Sequence, residues 1–292
     1  MNFSGADQVQ TPFTPIDGKI VLARRDRFLG AIGARPLVMG ILNVTPDSFS
    51  DGGRFNGLDA ALAQARRMAR EGADLIDVGA ESTRPGHSPV AEQDELARLE
   101  PLLAPLAVAV DLPFSVDTYK ANVARRAIAW GASVVNDVWG FQRDPDMARV
   151  VAETGAAAVV MHNRDDKDER LDIRADMRRF FERTLKLADA AGVPRARLVL
   201  DPGVGFGKTK EQNLAALADV GDLGRDFGLP VLVGVSRKSI FGLLLGAEVD
   251  ARLIGTLAAN VACAARGAQV FRVHDVAEHV AAFKVFDAIA RA

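Results

Sequence analysis

The chain has 292 residues, 49% of them hydrophobic, which allows a large buried core and fits a single α/β barrel of roughly 250 residues plus insertions. A net charge of -2 and a pI near 6.1 give no general attraction to nucleic acid or anionic lipid. The lone cysteine, Cys263, excludes an internal disulfide and a cysteine-rich metal site, and the four histidines show no ligand spacing.

Residues 1 to 35 read as a mixed lead-in with a short apolar piece at Ile20 to Ala23, and residues 36 to 292 as one domain. Met1 to Gln10 has neither a basic start nor an apolar block, and no apolar run nears the roughly 18 residues of a membrane span, so a soluble, cytoplasmic protein is expected. From residue 37 a pattern repeats: a short apolar run, a polar tip, an amphipathic stretch, then a glycine. Strands are predicted at 37 to 43, 74 to 79, 113 to 117, 133 to 137, 156 to 162, 197 to 201, 230 to 236 and 269 to 273. Helices are predicted near 57 to 71, 91 to 109, 120 to 130, 145 to 154, 173 to 191, 212 to 227, 251 to 266 and 276 to 290. Gly72, Gly131, Gly155, Gly192, Gly228 and Gly267 stand where helices should stop, and Asp275 with Glu278 has the spacing of a capping box. Eight strands alternating with eight helices predict an α/β fold of the (β/α)8 (TIM) barrel type, with an open doubly wound sheet as the weaker alternative.

In such a barrel the chemistry sits where strands end. The first run, Leu37 to Leu42, delivers Asn43 and is followed by a Gly-rich polar stretch that carries Phe49 and Asp51. Later tips supply Glu81 to Arg84, Asp117, Asn136 with Asp137, His162, Asp201, Ser236 to Ser239, and Arg272 with His274. Asp117, Asn136 and Asp201 can accept from a heterocycle with several N–H donors. Lys238, Arg272, His274 and Arg84, with a helix N-terminus expected after Ser236, offer positive potential for an anion. Asp137 and Asp275 fit turn or cap roles better than ligand contacts. The stretch Asp201 to Thr209 imitates a phosphate-binding P-loop, but Pro202 stands where that motif needs glycine. It reads instead as a strand end delivering Asp201, then a turn presenting Phe206. The charged run 163 to 170 is expected to be a solvated loop.

Taken together, Met39 to Gly53, Glu81 to Gly86, Ser115 to Thr118, Val135 to Asp137, Met161-His162, Leu200 to Lys208, Ser236 to Ser239 and Arg272 to Asp275 resemble the dihydropteroate synthase family of pterin-binding enzymes, in the family's order. The resemblance implies a (β/α)8 barrel, usually a homodimer, that condenses 6-hydroxymethyl-7,8-dihydropterin pyrophosphate with 4-aminobenzoate and is a target of sulfonamides. It implies catalytic roles for Asp117, Lys238, Arg272 and His274. Asp117, Asn136, Met161, Asp201, Lys238 and Arg272 would hold the pterin, and Asn43, Thr83, Arg272 and His274 the pyrophosphate. Phe49, Arg84, Pro85, Phe206 and Ser239 would meet aminobenzoate, two mobile loops would carry Phe49, Asp51, Thr83 and Arg84, and Asn43 with Asp51 would serve Mg2+. A pterin-binding methyltransferase, a non-catalytic pterin-binding homologue and a Schiff-base aldolase using Lys238 stand as alternatives.

Overall fold

The computed structural model describes residues 15–44, 53–81 and 89–292. Phe49, Asp51, Thr83, Arg84 and Pro85 lie outside the described residues. Eight parallel strands follow one another: β1 (Leu37–Asn43), β2 (Leu75–Gly79), β3 (Phe114–Asp117), β4 (Val134–Asp137), β5 (Ala157–Met161), β6 (Leu198–Asp201), β7 (Leu232–Val233) and β8 (Val270–Val273). Neighbours pair in the order β6-β5-β4-β3-β2-β1-β8-β7, and a parallel bridge from Leu200 to Val231 brings the two ends together. The result is a (β/α)8 barrel.

Between the strands run α2 (Gly53–Glu71), α3 (Glu92–Ala109), α4 (Ala121–Ala129), α5 (Met147–Thr154), α6 (Ile173–Ala191), α7 (Lys210–Ala218), α8 (Val220–Phe227), α9 (Ser239–Leu245) and α10 (Leu253–Ala264), and α11 (Val276–Ala290) follows β8. All six glycines expected at helix ends have positive φ, between +62° and +109°, one to three residues past the helix, where a side chain would be strained. The predicted helix 212 to 227 is two helices. Arg178 grips the carboxylate of Asp219 at their junction, and a capping box of Thr209 and Gln212 starts the first of them. The predicted strand 230 to 236 shrinks to β7, and α9 follows the expected helix start after Ser236. The capping box at Asp275 does not form, because Arg237 takes both oxygens of that carboxylate.

The lead-in contains α1 (Gly18–Ala31), capped by Asp17, whose carboxylate accepts from the Lys19 N–H at 2.9 Å. Its Phe28 packs with Leu37, Met39, Leu75, Val134, Ala157, Val159, Val199, Leu232 and Val270, all buried. These strand residues share one face, and the alternate ones, such as Val38, Ile76, Val135, Leu200 and Phe271, pack with the helices. Because side chains alternate, the residue two places after each apolar residue points the same way. Leu75 leads to Asp77, Val134 to Asn136, Val199 to Asp201 and Val270 to Arg272. One end of the barrel interior is therefore apolar and closed by α1, while the other is polar. No helix among the described residues is long and apolar enough to cross a membrane.

Candidate active site at the C-terminal mouth of the barrel

Strand register sets the mouth. Asn43 pairs with Gly79, Gly79 with Asp117 and Asp117 with Asn136, so residues from four strands stand in one row. Met161 pairs with Asp201 further round. Gly79 keeps the row open: a Cβ there would sit 3.6 Å from the Asp117 Cβ and 3.7 Å from Asn43 Oδ1.

Arg272 is the hub. Its Nε donates to Asp77 Oδ2 at 2.6 Å and its Nη2 to Asp117 Oδ2 at 2.9 Å. Asp77 also accepts from Ser115 Oγ and, at 3.3 and 3.4 Å, from Asn136 Nδ2. Burial alone would weaken the guanidinium's hold on its proton, but Asp77 and Asp117 outweigh it and raise the pKa further. Asp117 is 4% exposed, and its Oδ1 is buried with no hydrogen-bond partner among the described residues. Burial pushes its carboxyl pKa up to about 8; Arg272 pulls against this and Asp77 adds to it. Asp201 accepts from the Gly203 N–H at 2.7 Å, and burial raises its pKa against the opposing pull of Lys238. Lys238 Nζ donates to the Val204 carbonyl and lies 4.6 Å from the centroid of the Phe206 ring. Asp77, Asp117 and Asp201 thus face two cations, Arg272 and Lys238, in a largely buried setting. Such a place favours a ligand that donates hydrogen bonds and gains positive charge.

At the rim, Ser236 Oγ joins His274 Nδ1 at 3.0 Å and accepts from the His274 backbone N–H at 3.2 Å. Ser239 is exposed at the first turn of α9. Lys238 turns to Val204 while Arg237, at φ +55°, turns away to Asp275, so only one of these adjacent cations faces the Phe206 turn. His162 alternates with Met161 and points outward, its Nε2 3.1 Å from Asp176 Oδ2, and burial lowers its pKa to about 4. The imidazole is therefore neutral at pH 7. Asp137 accepts from the backbone N–H groups of Trp139 and Phe141, the turn role expected of it.

Two residues of this region were not singled out in the sequence. Asp77 is a fully buried carboxylate in the otherwise apolar strand Leu75-Ile76-Asp77-Val78-Gly79, and an ion so placed demands a partner. Lys208 is 2% exposed and donates to three carbonyls, which lysine's usual exposure conceals. The expected solvated run 163 to 170 is also docked at one end, where Asn163 is buried and Gly207 lies against the Arg164 backbone.

The expected Mg2+ site at Asn43 and Asp51 requires correction. Among the described residues no group of three or more His, Cys, Asp or Glu could hold a metal ion. The buried carboxyl groups of Asp77 and Asp117 already share the Arg272 guanidinium, and that of Asp201 faces Lys238. Asn43 alone offers one neutral oxygen.

A profile of the family described as pterin binding enzyme matches residues 39–274. The dihydropteroate synthase of Clostridium beijerinckii is 46% identical over 261 residues, covering 89% of this chain and 96% of that protein. The structure of dihydropteroate synthase from Clostridium difficile, obtained in the presence of pteroic acid, superposes with a TM-score of 0.86 at 47% identity, covering 89% of this chain and 99% of the other. The Yersinia pestis dihydropteroate synthase in complex with a sulfonamide drug gives a TM-score of 0.82 at 45% identity, with 89% and 96% covered.

Proposed function

This chain belongs to the pterin-binding enzyme family and is a transferase that joins 6-hydroxymethyl-7,8-dihydropterin pyrophosphate to 4-aminobenzoate, giving 7,8-dihydropteroate and pyrophosphate; we propose that it does so at the barrel mouth, with the following division of labour. The pterin lies among Asp117, Asn136, Met161, Asp201, Lys238 and Arg272. Its N–H edge meets Asp117 Oδ1 and Asp201, and Lys238 meets its carbonyl and ring nitrogen. The buried Asp117 Oδ1, without a hydrogen-bond partner among the described residues while Asp77 and Asp117 share one guanidinium, is the observation that carries this reading. Asn43, Arg272 and His274 face the pyrophosphate, and Phe206 with Ser239 faces aminobenzoate. Thr83, Phe49, Arg84 and Pro85, assigned to these ligands by resemblance, lie outside the described residues.

The reaction breaks the C–O bond between the pterin CH2 and pyrophosphate, and the electron pair leaves with the pyrophosphate. Ring nitrogens share the positive charge that develops, and Asp117, whose ionised form that charge favours, stabilises it. Arg272 and His274 stabilise the departing anion. The aromatic amine then attacks the CH2 carbon and releases its proton to solvent. None of these steps needs a covalent bond to Lys238, and its Nζ is held by Val204 beside Phe206, which favours this reading over an aldolase.

Sulfonamides, which mimic aminobenzoate, test the arrangement. A sulfonamide should raise the KM for 4-aminobenzoate and leave turnover at saturating aminobenzoate unchanged. Competition with the dihydropterin pyrophosphate instead would refute the assignment of Phe206 and Ser239. We also propose a cytoplasmic setting, by resemblance to the family, and a homodimer, on the strength of exposed apolar side chains that include Leu243, Leu245, Val249 and Ile254. A solution mass of one chain at micromolar concentration would refute the dimer.

A further inference from the structure

The turn from Gly203 to Gly207 alternates three glycines with Val204, which is buried in the core, and Phe206. Gly203, Gly205 and Gly207 have φ of +66°, +87° and +56°. A Cβ on Gly203 would lie 1.9 Å from the His162 carbonyl oxygen, and one on Gly207 2.5 Å from that of Arg164, so the turn is pressed backbone to backbone against the end of β5. Such an approach brings carbonyl oxygens together, and Lys208 meets them. Its Nζ donates to Gly203 O at 2.8 Å, Phe206 O at 3.1 Å and His162 O at 3.3 Å. Three acceptors use all three N–H donors of an ammonium group. The turn so held carries the two contacts at the far side of the mouth: Val204 O accepts from Lys238, and the Phe206 ring lies beside the same ammonium.

We propose that Lys208 is a positioning residue for the second substrate: its ammonium staples the glycine turn to the tip of β5 and thereby fixes the Phe206 ring against which 4-aminobenzoate packs. This rests on the reading of Phe206 as an aminobenzoate contact. Asp201, Lys238, Arg164 and Asp176 are the charged groups that act on Lys208, and burial lowers its pKa, to about 7. The three carbonyls oppose that loss, since only the charged form satisfies them all.

The test measures KM for 4-aminobenzoate, kcat, the dissociation constant of the dihydropterin pyrophosphate and the melting temperature. The proteins are wild type, Lys208→Met, Lys208→Gln, Phe206→Ala and the double variant Lys208→Met/Phe206→Ala. Lys208→Met is expected to raise KM for aminobenzoate about tenfold, the effect of loosening a few hydrogen bonds at one contact, with pterin affinity changed less than threefold. Lys208→Gln, which keeps two donors, should fall between wild type and Met, and it serves if the Met variant does not fold. In the Phe206→Ala background Lys208→Met should add less than twofold, because the ring it positions is gone. A full tenfold effect in that background, or a loss of melting temperature with KM unmoved, would overturn the proposal. If Phe206→Ala itself leaves KM unchanged, the aminobenzoate reading falls and the proposal with it. KM raised by Phe206→Ala but by neither Lys208 variant would sink the proposal alone.

Discussion

Asp117→Asn is expected to lower kcat by roughly 100-fold or more, the loss seen when one preorganised group is removed from a developing charge, while leaving the unliganded fold at least as stable as wild type. The two effects have one cause. Asp117 brings a carboxylate to a place where Arg272 is already shared with Asp77, and burial raises its pKa from 3.8 to about 8. Between about pH 4 and pH 8 the folded protein therefore holds a proton that the unfolded chain lacks, so this group's contribution to stability falls as pH rises through that window. The amide has no such proton to lose. The melting temperature of Asp117→Asn relative to wild type should increase from pH 5 to pH 8 and then level off. Calorimetric scans across that range, beside a turnover assay, check both halves. Turnover within threefold of wild type would remove Asp117 from the mechanism, and a stability difference independent of pH would refute the account of its burial.

Arg272→Met should be the most damaging single change at the mouth, with a stability loss of about 3–5 kcal/mol in urea titration, the cost of leaving buried carboxylates without their partner. Asp77 is fully buried and Asp117 nearly so, and neither has another cation bonded to it among the described residues. Without the guanidinium the buried carboxyl of Asp117 is driven further toward its protonated form, so the loss should be larger at pH 8 than at pH 5. The double variant Asp77→Asn/Arg272→Met should recover part of the stability and none of the activity, because it removes a buried charge without restoring the guanidinium. A loss below about 1 kcal/mol for Arg272→Met would mean that water reaches this cluster and that the mouth is not preorganised as described.

The architecture was legible because its signals are local. Eight apolar runs of strand length, amphipathic stretches between them and glycines at helix ends each follow from a few neighbouring residues, and the observed strands agree with the reading within a residue or two except at β7. The predicted strand runs past β7 because Gly234 and Val235 continue the apolar run but leave the ladder at the mouth. The break between α7 and α8 has no such local signal: Asp219 at the junction is held by Arg178, 41 positions earlier. The same division holds in the site. Asp117, Asn136, Asp201 and Arg272 announce themselves as polar residues closing apolar runs. Asp77 hides inside such a run, and its role depends on Arg272, 195 positions away. The Mg2+ expectation came from resemblance alone, and the donor geometry of the described residues does not support it.

The most direct measurement is a crystal structure of this protein with the dihydropterin pyrophosphate bound. The pterin N–H edge should lie within hydrogen-bond distance of Asp117 Oδ1 and Asp201, with Lys238 at the ring carbonyl and Arg272 still bridging Asp77 and Asp117. A pterin ring seated elsewhere, or one whose N–H edge points away from both carboxylates, would contradict the account.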